Sequence, residues 1–78
     1  MRTLRDEVIT QIVRARLGED RDTCGQTIDV CVADGDLFLI GWCDDESQRI
    51  SAVRIAKGAY GVRAVIDNIR VRRIVQSI

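Results

Sequence analysis

Gly61-Val62-Arg63-Ala64-Val65-Ile66-Asp67-Asn68-Ile69-Arg70-Val71 is the stretch on which the fold turns. A glycine opens it, and Val62, Val65, Ile66, Ile69 and Val71 are β-branched residues that favour a pleated backbone. It reads as a strand from about Val62 to Val71, with room to continue to Ile74. What stands before it decides how it joins a sheet. Glu46 to Lys57 reads as a helix, capped by Asp44 or Asp45, with Gln48 three residues after Asp45. Ile50, Val53, Ile55 and Ala56 are its apolar positions, Ala52 allows close packing, and Gly58 is its stop. The strand therefore returns through a crossover rather than a hairpin.

Further upstream, Ile28, Val30 and Val32 alternate with Asp29, Cys31 and Ala33. A period of two marks a strand with one buried face. Asp34-Gly35 is a strong hairpin signal, and Leu37 to Trp42 is the return strand. Before the hairpin, Glu19 to Gln26 is polar and turn-like. Thr3 with Asp6 resembles a capping box, and Leu4, Val8, Ile9, Ile12, Val13 and Leu17 recur at helical spacing. The first helix is predicted from about Leu4 to Leu17, with Gly18 ending it. The order is α-β-β-α-β. A strand–helix–strand crossover is right-handed, so the last strand should run parallel to the second. The predicted fold is α/β in the α+β sense, with two helices on one face of a three-stranded mixed sheet.

Seventy-eight residues make a single domain, taken as 1–78, with a thin core. A composition of 46% hydrophobic and 31% charged residues suffices for folding. Basic and acidic residues balance at a net charge of zero, which argues against a general nucleic-acid binder. The chain has no histidine, hence neither the usual general base nor the commonest metal ligand. Cys24, Cys31 and Cys43 lack zinc-site spacing, and no metal or cofactor is expected. An odd number of cysteines reads most simply as free thiols in a reducing compartment. The N-terminus shows no apolar run of a secretory signal. These features favour a cytoplasmic setting.

Three patterns, taken together, carry a family resemblance. An amphipathic helix is followed by Ile28-x-Val30-x-Val32-x-Asp34-Gly35-x-Leu37-x-Leu39-x-Gly41. A second helix is followed by Gly61-Val62-x-x-Val65-x-Asp67-Asn68-Ile69-x-Val71. In this order and spacing, over nearly the whole chain, they resemble a BON domain. The resemblance implies the α-β-β-α-β fold and a non-enzymatic role, either at phospholipid surfaces or in larger assemblies. It also implies that a periplasmic or envelope setting is open. No catalytic residue comes with it.

Strand alternation makes a sharper prediction. If the helices cover Val30, Val32, Leu37 and Leu39, then Gly41 sits under a helix where the absence of a side chain permits close approach. Cys43 is then a small buried hydrophobe. Phe38, Ile40 and Trp42 point the other way, beside Asp29, Cys31, Ile66, Asn68, Arg70 and Arg72. A contiguous apolar stripe of this kind marks a partner, a membrane or an oligomer. Register is weakly specified where both faces are apolar, so a bulge could instead turn Phe38 and Trp42 inward. The expected site is Phe38, Ile40 and Trp42 as anchor, with Ile66 beside them and Arg70 and Arg72 as polar rim. A protein partner, including a second copy in a homodimer, is preferred. Anionic phospholipid is the alternative, suited by Trp42 and the arginines.

Other motifs carry less. Gly58-Ala59-Tyr60-Gly61 has the Gly-x-x-Gly form of the RNA-binding KH loop, but it leads into a strand and lacks basic residues inside. A helix stop plus turn explains it, with Tyr60 packing on the domain edge, and nucleic acid is a weak alternative. Asp44, Asp45 and Glu46 suit a helix N-terminus. Asp34 and Asp36 suit a turn. Arg70, Arg72 and Arg73, helped by Arg63, form the best basic cluster. No base, nucleophile and orienting group can be assembled, so the chain is read as a non-enzyme.

Overall fold

The computed structural model describes residues 3–72. Its elements are α1 (Leu4–Glu19), β1 (Thr27–Ala33), β2 (Asp36–Cys43), α2 (Glu46–Lys57) and β3 (Ala64–Val71). The strands form one sheet in the order β1-β2-β3. β1 pairs antiparallel with β2, and β3 pairs parallel with β2. This is the predicted α-β-β-α-β arrangement. The possible extension of β3 to Ile74 lies outside the described residues.

Local chemistry explains the boundaries. Thr3 and Asp6 form a reciprocal capping box at α1, and Asp45 and Gln48 form another at α2. Asp44 is not the cap, but its amide, like that of Asp45, donates to the Gln48 amide oxygen. Asp34 and Gly35 adopt φ of 52° and 84°, the left-handed pair that a two-residue hairpin demands. α1 runs two residues past the predicted end. Gly18 is helical, and the helix closes at Asp20, whose amide donates to the Arg16 carbonyl.

The helices lie on one face of the sheet, α1 over β1 and α2 over β2 and β3. Between helices and sheet sits the core of Ile9, Val13, Leu17, Val30, Val32, Leu37, Leu39, Cys43, Ala52, Ala56, Ala59 and Ile69. Leu37, Leu39 and Cys43 are fully inaccessible to solvent. Burial pushes the Cys43 thiol pKa up, with Asp45 and Glu46 acting in the same direction. Two sequence expectations need correction. Ile50 is exposed, because it projects from the outer side of α2 rather than toward the sheet. Gly41 does not make room for a helix. It adopts φ of 136°, and a Cβ there would lie 2.0 Å from the Thr27 carbonyl oxygen on the neighbouring strand. The glycine is required by backbone conformation and by β1.

One buried polar group ties the first helix to the hairpin. The Asp6 carboxylate accepts from the Thr3 amide at 2.9 Å, the Asp34 amide at 2.8 Å and the Gly35 amide at 3.1 Å. These bonds, led by the one from Thr3 and opposed by burial, lower its pKa from an ordinary 3.8 to about 2. The sequence reading recognised the cap but missed the clip to the turn. On the far side, Arg49 of α2 bridges Glu46 and Asp67 of β3. That pairing holds the crossover helix against the last strand.

Candidate functional site

The outward alternation along β2 sets the candidate site. Register places Phe38 between Cys31 and Ile66, Ile40 between Asp29 and Asn68, and Trp42 between Thr27 and Arg70. These three rows, with that of Ala33, Asp36 and Ala64, lie on the face that no described helix covers. Ile40 is 48% exposed and Trp42 45%, whereas Phe38, Cys31 and Ile66 are half-buried. Ile40 and Trp42 thus project furthest, and Phe38 packs more deeply within its row. The sequence-predicted residues Phe38, Ile40, Trp42, Ile66 and Arg70 are brought together on one surface.

Arg70 extends over the Trp42 indole, with its guanidinium carbon 5.8 Å from the ring centroid. That is cation–π range, and it fixes both side chains beside each other at one end of the face. Arg72 follows directly after β3, and its amide donates to the Cys43 carbonyl. It is exposed next to the Trp42–Arg70 row. The proposed basic cluster is smaller than the sequence suggested. Arg63 lies before the start of β3, at the opposite end of the strand from Arg70, and is paired with Asp36. That double hydrogen bond and Coulomb attraction raise the pKa of Arg63. Arg73 lies outside the described residues.

The rims of the sheet behave differently from its face. On β1 the Val30 amide donates to Asp29 at 2.8 Å, and the Val30 carbonyl accepts from Arg14. Arg14 also pairs with Asp29. On β3 the Ile69 amide donates to the Asp67 carboxylate at 3.0 Å. Side chains thus occupy backbone groups that an added strand would need. Sequence alternation alone held no signal for this, because it depends on side chains folding back onto their own strand. At these positions the side chains compete with strand addition, whereas the outward face of the sheet carries no such cover.

Other candidates resolve into structure. Gly58 to Gly61 is a turn, as expected, with the Gly58 and Ala59 amides bonded to the end of α2. Tyr60, however, is 92% exposed rather than packed down on the domain edge. Ser47 and the Gln48 amide lower the pKa of the capping carboxylate Asp45. Cys24, Cys31 and Cys43 are free thiols. Among the described residues no cluster of three potential metal ligands occurs, and no helix is long and apolar enough to cross a membrane.

The model of the BON domain family matches residues 5–73. The chain belongs to the BON family. It is therefore a member of a family of small, non-catalytic binding modules, as the resemblance implied. No individual curated protein matches the chain significantly.

Proposed function

We propose that this BON domain is a non-enzymatic docking module whose open sheet face binds a protein partner, with a second copy of the chain as the simplest one. One observation carries the reading. Along β2, Leu37, Leu39 and Cys43 are wholly buried, while the alternate residues Ile40 and Trp42 stay nearly half exposed. Burying a large apolar side chain is worth ~1.5–3 kcal/mol, so several together can hold a partner. The rim supports recognition. Arg70 is already positioned by Trp42, and Arg72 stands beside it. Self-association through one patch meeting its own copy is the commonest symmetric solution.

The test is sedimentation of the isolated chain over a concentration series. A reversible dimer that Ile40→Asp abolishes, while a cooperative thermal melt is retained, supports the reading. A strict monomer at every concentration removes the self-docking form. Binding to anionic vesicles, lost in Trp42→Ala or at high salt, would replace it with the phospholipid reading. Affinity for single-stranded RNA would revive the nucleic-acid alternative.

A further inference from the structure

α1 carries two apolar faces rather than one. Ile9, Val13 and Leu17 enter the core, while Leu4, Val8 and Ile12 are exposed. Val8 and Ile12 each precede a core residue by one position, which rotates them about 100° around the axis. They therefore border a separate surface, on the helix side of the molecule and away from the open sheet face. There the outer flank of α1 and the turn after α2 enclose a groove of about 240 Å³. Val8, Ile12 and Tyr60 form its walls, and the buried Ile9 and Ala59 form its floor.

Arg5 and Arg16 line the two ends of this groove. Neither makes an ion pair among the described residues. Eleven residues apart on a helix, their backbone positions are separated by about 16 Å. Glu19, exposed near the end of α1, is likewise unpaired with Arg16. The lining is thus apolar in the middle and cationic at both ends. An occupant that complements it is apolar in the middle and acidic at both ends.

The pattern discriminates among occupants. A second copy packing α1 antiparallel on α1 would set Arg5 of one chain against Arg16 of the other, a like-charge contact. A flat bilayer can reach Leu4 and Tyr60 at the rims but not Ile9 and Ala59 at the floor. A helix laid along the groove can seat apolar side chains on that floor. We propose that the α1–Tyr60 groove is a second docking site, and that it takes an amphipathic helical segment with acidic residues flanking its apolar stripe. The domain is then bivalent, with one apolar surface on the sheet and another on the helix layer.

The experiment titrates the isotope-labelled domain with a short synthetic amphipathic helix bearing leucines on one face and glutamates on both flanks. Its counterpart has lysines in place of the glutamates. The expected result is saturable amide shifts around Val8, Ile12, Ala59 and Tyr60 with the acidic peptide alone. The double variant Arg5→Glu/Arg16→Glu should weaken binding by roughly tenfold or more, while Trp42→Ala leaves it unchanged. Val8→Ser/Ile12→Ser should weaken it as well. All of these positions are exposed, so circular dichroism melts should stay close to the parent. No saturable shift, equal binding of both peptides, or shifts centred on Ile40 and Trp42 would overturn the proposal. So would binding to phosphatidylglycerol vesicles through Arg5 and Arg16 without peptide binding.

Discussion

The two faces of β2 differ by one residue in sequence and by nearly everything in environment. Leu39 is sealed beneath the helices, and its neighbour Ile40 is 48% exposed. Both are aliphatic residues of the same strand. Composition does not separate them; what lies across from each does. The covered face holds the fold together, and the open face is the one proposed above for docking. The difference teaches that apolar residues in a thin domain divide between cohesion and contact according to strand parity.

Substitutions on either side test that division. The largest effect is expected on the covered face. Leu39→Ala removes a fully buried side chain and should cost ~2–5 kcal/mol, measured by urea unfolding. Next comes the clip below the hairpin. Asp6→Asn keeps the shape but weakens acceptance from Thr3 and the two turn amides, and should lower the melting midpoint by on the order of 10 °C. The pH dependence of this clip has a definite sign. The folded-state pKa of Asp6 is depressed from 3.8 to about 2, so its contribution is fully present above the unfolded value. That contribution fades as pH falls from about 4 toward 2, and an acid titration of Asp6→Asn should lack this component. The smallest stability effects belong to the open face. Ile40→Asp and Trp42→Ala should each cost on the order of 1 kcal/mol, well below Leu39→Ala, while abolishing concentration-dependent association. A stability loss at Ile40 as large as that at Leu39 would erase the comparison.

Much of the fold was legible because the signals were local and mutually consistent. The Asp34-Gly35 turn, the Asp45–Gln48 cap and the alternation from Ile28 to Cys43 each depend on neighbours a few residues away. They set the order of elements, the hairpin register and the membership of the open face. What stayed hidden depends on contacts distant in sequence. Leu4, Val8 and Ile12 fit the same helical period as Ile9, Val13 and Leu17, and periodicity alone does not distinguish one broad stripe from two. Gly41 was correctly marked as a place of close approach, but the approaching group is the Thr27 carbonyl on the adjacent strand. Asp6 satisfied its cap so well in sequence that nothing called for its reach to a turn 28 residues away. Arg63 was grouped with Arg70 by composition, and the length of β3 separates them.

The side chains folded back on the outer strands carry a wider consequence. Asp29 with Arg14, and Asp67 on the opposite margin, plug hydrogen-bonding groups by which loose strands usually knit together. Many copies crowded at one location would have difficulty zipping edge to edge into a continuous cross-β fibre. The proposed docking face and these guarded margins would then divide the sheet between contact and protection against fibre growth.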